Sequence, residues 1–458
     1  MPQAQIAEIE SLPEENLKQT LLKRQRYEQL QVELQDAPDQ LLADLYTAAF
    51  TLRKDEESQN NIPLTEHLVA DDPIHTVPHS VQRAAREMAK AFKFFHWHLR
   101  FSQIMTEGGF DCVLGNPPWD RVKPQQREFF SLRCEEYSLA TSHHERENAL
   151  LSVIQSRTPW SAALLQEWEH ERRYSVSSAN FARESRRFPL AGSGELNLYS
   201  LFSELTLSLV GLIGRAGILV PTGIVTDHGN SALLRYMLNK SLMNGIIDFE
   251  NRAPFFKSVE SRYRFSLVTL SPDSEIISCF FLLTATAQVG KPDRHIVLHR
   301  EIIHRLTPFS TLLPTPRSSV DASLISRLSA NLLPLGDSAS DLEWSDRLCL
   351  RRMFRKPDDA AVMISGAECE RTSALPLIEG NCIQHYSLSF NSAEKNNSDF
   401  LQPRSILECE VFSDQCIRRE DLEKKVSKIG DHLFLLKEGL LVFRRVARNT
   451  DERTLISA

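Results

Sequence analysis

The stretch Gly108-Gly-Phe-Asp-Cys-Val-Leu-Gly-Asn-Pro-Pro-Trp-Asp-Arg-Val122 decides how this chain is read. Phe110 to Leu114 is a short apolar run bounded by glycines, the pattern of a buried strand. It runs directly into Asn116-Pro117-Pro118-Trp119. Each proline fixes φ and removes an N–H, and Pro117 also drives Asn116 toward extended geometry. The strand therefore ends in a stiff turn that presents an amide and then an indole. The bland alternative is a rigid turn with Trp119 packed as a core aromatic.

Working downstream, strand-like and helix-like stretches alternate from 101 to about 300. NLYSLFSELTLSLVG reads as a helix, RAGILVP as a strand and NSALLRYMLNKSLM as a helix. GIIDFEN reads as a strand, and YRFSLVTLS with SCFFLLTA as a strand pair at an antiparallel edge. Strands separated by helices of this length predict an α/β sheet. Upstream, residues 1–100 read as helices. Leu17, Leu21, Tyr27 and Leu30 sit near helical spacing, a second helix follows Pro38, and a third follows Pro78 with Ser80 as its N-cap. This upstream part contains no glycine, since the first in the chain is Gly108. Beyond about 310, TPFSTLLPTPRSS marks a boundary. The expected organisation is a helical region 1–100, a core 101–305 and a third region 306–458.

The bulk properties exclude several classes. The 458 residues allow a sizeable core, and 42% hydrophobic with 25% charged residues is the composition of a folded protein. The net charge of −7 excludes a chain that is basic overall, so contacts with nucleic acid must come from local patches. Eight cysteines are scattered with no CxxC pair, which points to neither a zinc ribbon nor a disulfide framework, and to reduced thiols in a cytoplasm. No metal site is expected: His96 and His98 have the wrong spacing for one helix face. No apolar run reaches about 18 residues, so no membrane span is expected.

The turn after the strand fits a particular chemistry. An exocyclic amino group on a base is a poor nucleophile because its lone pair is delocalised into the ring. Two acceptors aimed at its hydrogens hold the group and favour pyramidal nitrogen. The Asn116 side chain supplies one and the Pro117 carbonyl the other, while Trp119 stacks on the base face. A base inside a duplex must be flipped out to reach such a site.

The residues FDCVLGNPPWDRVK resemble the catalytic motif of amino-methylating DNA methyltransferases, in the adenine-N6 branch. The stretches 195–227 and 245–270 are similar to the blocks that follow it in large adenine methylases, including the methylase part of fused type II restriction–modification enzymes. The resemblance extends over most of residues 90–458, with 375–386 and 446–458 similar to pieces of the DNA-recognition region. It implies a Rossmann-like methyltransferase sheet, a helical N-terminal part and a partial α+β DNA-recognition domain. It implies methyl transfer from S-adenosylmethionine to N6 of a flipped adenine in double-stranded DNA, with Asn116, Pro117, Pro118 and Trp119 as catalytic residues. Phe256 takes the second stacking position by the same resemblance, with Phe255 as its rival.

The resembled enzymes place a glycine-containing loop for S-adenosylmethionine before the catalytic motif, where the backbone approaches the cofactor closely. No glycine precedes residue 108 here. GLIGRAG (211–217) is better explained as a helix end turning into a strand. The sheet is therefore expected to be incomplete at its N-terminal side, with another subunit supplying the cofactor-binding half. Arg186 and Arg187, before a glycine-containing loop, are the leading candidates for DNA phosphate contacts. The rival function is a truncated, non-catalytic DNA-binding or interaction subunit of a restriction–modification or phage-defence system.

Overall fold

The computed structural model describes residues 3–35, 37–56, 58–252, 255–257, 259–307 and 311–331, with the short strands Met363–Ser365, Leu375–Pro376 and Gln415–Ile417. The fold is mixed α/β. The apolar runs picked out in the sequence become β1 (Phe110–Gly115), β2 (Val210–Pro221), β3 (Met243–Glu250), β4 (Arg264–Leu270), β5 (Ile276–Leu283) and β6 (Ile296–His299). They form one six-stranded sheet in the order β1-β2-β4-β3-β5-β6. β1 lies parallel to β2 and β3 parallel to β5, whereas β4 is antiparallel to both of its neighbours.

Alternation along the strands divides the sheet into two unlike faces. Ile218, Val220, Ile246, Val268, Ile277, Cys279 and Phe281 point to one face and are buried. Leu233, Leu234, Met237 and Leu238 of the helix Ser231–Asn239 cover it, together with Ile303. Burying each such side chain stabilises the fold by about 1.5–3 kcal/mol. On the other face, Leu219, Phe249, Phe265 and Phe280 form a second cluster towards the carboxyl ends of β2 and β3. Farther down that face, Leu114 is 80% exposed and Leu267, Ile276 and Val297 are also exposed.

Three local expectations are corrected. YRFSLVTLS and SCFFLLTA do not pair with each other: β3 lies between β4 and β5 and is bonded to both. β3 is the strand buried on both faces. Its Asp248 accepts from Arg264 and Ser266 of β4 and from the Leu282 N–H of β5, which fixes the central place. GLIGRAG is not a helix end, because the helix Leu198–Leu209 stops before it and β2 begins at Val210. Its glycines permit close approach to the start of β1. A Cβ on Gly214 would stand 2.6 Å from the Phe110 carbonyl oxygen, and one on Gly109 would stand 2.6 Å from that of Leu209. The third helix, expected to run through to Phe101, ends at Phe92, where Lys93 takes the left-handed conformation at φ 53°. Its N-cap is Pro78, without a side-chain bond, rather than Ser80.

Between β1 and β2 stands a helical insertion. Ser142 and Glu145 form a reciprocal capping box at the start of the helix His143–Ser156. Thr158 caps the helix Pro159–Glu184, which has proline at its first turn. Phe129, Phe130, Tyr137 and Leu164 bury the insertion's own core. The long helix then packs on the helix Pro38–Thr51: Phe50 and Phe181 meet at 6.0 Å between ring centroids, and the Tyr46 hydroxyl donates to the Ser185 carbonyl.

The chain divides into two compact units, Met1–Leu342 and Glu343–Ala458. In the second, Gln415–Ile417 pairs antiparallel with both Met363–Ser365 and Leu375–Pro376. The blocks 375–386 and 446–458 lie outside the described residues, apart from that last strand. Among the described residues no helix is long and apolar enough to cross a membrane.

Candidate functional site

The carboxyl ends of β1, β2 and β3 open on the same side of the sheet, where open α/β sheets hold ligands. Three connections meet there. Asn116-Pro117-Pro118-Trp119 leaves β1, Thr222-Gly223 leaves β2, and the loop 251–263 leaves β3 and returns as β4.

Asn116 is exposed, and its side chain makes no hydrogen bond to another described residue. Pro117 is half-buried and Pro118 exposed. Trp119 is half-buried against both core clusters, and its indole N–H donates to the Leu219 carbonyl at 3.3 Å. Three rings surround it. Phe256 meets it edge-on, at 5.4 Å between centroids and 78° between planes. Tyr263 lies nearly parallel, at 5.9 Å and 10°. Phe265 lies at 6.1 Å and 26°. Phe255 instead packs its edge on Phe249 and Phe265. The ring parallel to the indole is therefore Tyr263, while Phe256 forms a side wall.

Asn251 arranges the loop that carries these rings. It is fully buried. Its side-chain nitrogen donates to the carbonyls of Phe256 and Val259, both at 2.9 Å, and its oxygen accepts from the Phe256 N–H at 3.1 Å. Its own N–H donates to the Tyr263 carbonyl. An aspartate would lose both side-chain donors, and a glutamine would be one methylene too long.

Asp248 of β3, one residue before Phe249 and on the opposite face of the sheet, is fully buried. It accepts from Arg264 Nη2 at 2.6 Å, from the Leu282 N–H at 2.9 Å, from Ser266 Oγ at 3.3 Å and from the Thr222 hydroxyl. The carboxylate thereby ties the ends of β2, β4 and β5 together. A second buried set organises the turn after β2. Asn230 donates to the Gly223 carbonyl at 2.8 Å and to the Tyr199 hydroxyl at 3.2 Å, and accepts from Ser200 at 2.6 Å. A Cβ on Gly223 would run into the Asp227 carboxylate.

The segment after Trp119 is held just as firmly. Arg121 bridges to Asn197, Val122 N–H donates to the Leu196 carbonyl and Leu198 N–H to the Asp120 carbonyl, both at 2.9 Å. Burial raises the Tyr263 phenol above its ordinary pKa; Asp227 and Asp120 add to the rise, and Arg121 opposes it. Burial likewise raises Tyr199.

Arg186 is exposed with φ 58°, at the end of the long insertion helix. The Arg187 guanidinium lies 5.3 Å over the Tyr46 ring and 5.9 Å from that of Phe181, so it is engaged by aromatics. The sequence reading passed over Tyr263 and Asn251. Tyr263 sits among Ser-Arg-Tyr-Arg, which reads as a polar turn, and Asn251 ends a strand where asparagine is ordinary.

β1 is one of the two edge strands of the six-stranded sheet among the described residues, β6 being the other. Cys112, Leu114 and Gly115 on β1 are exposed, and a Cβ on Gly115 would meet nothing within 4 Å.

With this geometry in view, known proteins offer the following likenesses. The family model for Eco57I restriction-modification methylases matches residues 18–150. No curated protein matches the chain. Among solved structures, a nuclease-deletion mutant of the Type ISP restriction-modification enzyme LlaGI, bound to a DNA substrate mimic, is 12% identical with a TM-score of 0.21. That match covers 46% of this chain and 14% of LlaGI. The DNA-bound Type ISP enzyme LlaBIII is 10% identical at a TM-score of 0.20, covering 47% of this chain and 12% of that one. The type I restriction-modification methyltransferase subunit from Streptococcus thermophilus is 12% identical at a TM-score of 0.21, covering 58% of this chain and 56% of the subunit. The chain thus spans well under two thirds of each.

Proposed function

We propose that this chain carries the target-base half of an adenine-specific DNA methyltransferase of a restriction–modification system. The observation that carries the reading is the exposed Asn116 amide beside the half-buried Trp119, on a proline-stiffened turn at the carboxyl end of a parallel strand. The family match over residues 18–150 reaches across this turn and supports the same reading.

In the proposed reaction an adenine leaves the duplex and lies against Trp119, where stacking contributes about 1–3 kcal/mol. The Asn116 side-chain oxygen and the Pro117 carbonyl accept the two N6 hydrogens. Neither proline N competes as a donor, because neither carries a proton. Phe256 and Tyr263, set by Asn251, bound the space beside the indole. S-adenosylmethionine, when bound, would supply the methyl group. The six strands belong, in this reading, to a Rossmann-like sheet to which further strands add beside β1. A core spanning about 101–305 would bear the site, with target recognition assigned to 306–458.

The test is formation of N6-methyladenine in duplex DNA, read by nucleoside mass spectrometry, in the assembly that binds the donor. Asn116→Ala should abolish it in a protein of unchanged stability. Undiminished methylation by that variant would remove Asn116 from the chemistry. The exposed β1 edge favours a second reading, a non-catalytic DNA-binding subunit. That reading predicts DNA binding with no calorimetric heat from S-adenosylmethionine and no methylation in any assembly.

A further inference from the structure

Two cations follow the candidate site immediately and share a single carboxylate. Arg121 Nη1 lies 2.7 Å and Lys123 Nζ 3.5 Å from the same oxygen, Oε1, of Glu195. All three side chains are about half exposed, at 54%, 54% and 55%. Backbone bonds fix them face to face: Arg121 bridges to Asn197, and the N–H groups of Val122 and Leu198 donate across to Leu196 and Asp120. The strip holding the cations and the strip holding the carboxylate therefore cannot drift apart without breaking a short ladder.

An exposed pair of this kind contributes little stability, about 0–1 kcal/mol. An anion able to use both cations at once displaces it at small cost. A phosphate suits them: it offers several acceptor oxygens, and guanidinium binds it through two parallel hydrogen bonds. The place is also suitable. Arg121 stands two residues from Trp119, and its charge is felt at Tyr263, the ring parallel to that indole. A nucleotide whose base lies on Trp119 carries its own phosphate on the attached sugar, within reach of side chains just beyond the indole. On the loop that carries the rings Lys257 is exposed and makes no ion pair among the described residues, while other basic residues are already engaged. Arg252 and Arg262 each pair with one near neighbour in sequence, Glu250 and Glu260, and Arg187 lies over aromatic rings.

We infer that Arg121 and Lys123 form the binding site for the DNA phosphate next to the flipped nucleotide, and that Glu195 occupies this site until DNA displaces it. The inference rests on the proposed reading in taking DNA as the partner. Glu195 then acts as a built-in competitor: its carboxylate stands where the phosphate goes. Counting Asp120, the local formal charge is zero while Glu195 is present and +1 when it is neutralised.

The experiment is fluorescence anisotropy of a labelled adenine-containing duplex with the full chain, across about 50–200 mM salt. Arg121→Gln and Lys123→Gln should each weaken binding by up to about tenfold and reduce the slope of log K against log salt, with about 0.9 as the limit for both together, since they share one phosphate. Glu195→Gln keeps the shape and removes the competing charge, so it should tighten binding by about fivefold. All three residues are exposed, so unchanged circular dichroism and Tm are expected. Wild-type affinity in Glu195→Gln, an unchanged slope in both cation variants, or no DNA binding by the wild-type chain would each overturn the inference. Slope changes as expected with no methylation in any assembly would leave the phosphate site standing and defeat the proposed function. Methylation with no slope change would do the reverse.

Discussion

Replacing Asp248 should damage the fold more than any surface change near the site. The side chain is fully buried and accepts from four donors, on Thr222, Arg264, Ser266 and the Leu282 backbone. Asp248→Ala leaves all four facing a void. Breaking a buried pair by removing one partner costs about 3–5 kcal/mol. Arg264 keeps 27% of its side chain exposed, so water recovers part of its loss, and the lower half of that range is expected. Asp248→Asn keeps the shape but turns an N–H₂ towards at least one donor that formerly met an oxygen. We expect about 2–3 kcal/mol for it, the cost of unsatisfied buried donors, one of them charged. Urea unfolding followed by far-ultraviolet circular dichroism measures both. A double-mutant cycle with Arg264→Met should give a coupling above about 1 kcal/mol. Asp248→Asn within about 0.5 kcal/mol of wild type would refute the claim that this carboxylate ties the three strands together.

Other outcomes follow from the same geometry. Asn251→Asp removes two donors from a buried side chain and should cost about 2 kcal/mol; if Asn251 positions the rings, it should also raise KM for DNA more than it lowers kcat, and equal stability with unchanged KM would deny it that role. Gly109→Ala places a Cβ 2.6 Å from the Leu209 carbonyl at φ 114°, and a loss of about 2 kcal/mol or more in urea unfolding is expected. Burial raises the Glu204 carboxyl above the usual carboxylate range, against the N–H bonds from Ala191 and Leu190. The folded state then holds the proton to higher pH than the unfolded state, so this group's contribution to stability falls as pH rises through its folded pKa. Glu204→Gln should flatten that decline as pH rises above the ordinary carboxylate range, and a profile identical to wild type would contradict the assignment.

The sequence made some of this legible and hid the rest for physical reasons. Short apolar runs between glycines and turns mark strands, so five of the six segments of the sheet, all but Ile296–His299, were visible in the pattern, although β1 is largely exposed where its apolar run reads as a buried strand. Their neighbours were not. Propensity says that GIIDFEN and YRFSLVTLS are strands, but only the bonds to Asp248 reveal that β3 stands between β4 and β5. The glycines of GLIGRAG resembled a turn, because close backbone approach and turn geometry call for the same residue. At the site, Asn116 to Trp119 was evident because two consecutive prolines after a strand are rare. Tyr263 was not: its meaning comes from lying parallel to a ring far away in sequence, and nothing in Ser-Arg-Tyr-Arg announces that.

The central claim is that the turn after β1 receives a flipped adenine. Fluorescence of 2-aminopurine, placed at the target adenine of a duplex, reads this directly, because the base brightens when it leaves the stack. The account predicts a saturable fluorescence change on adding the full chain, strongly altered in Trp119→Ala, in which the flipped base loses its stacking partner. A wild-type chain that binds the duplex and leaves the probe as dark as in free DNA would contradict it.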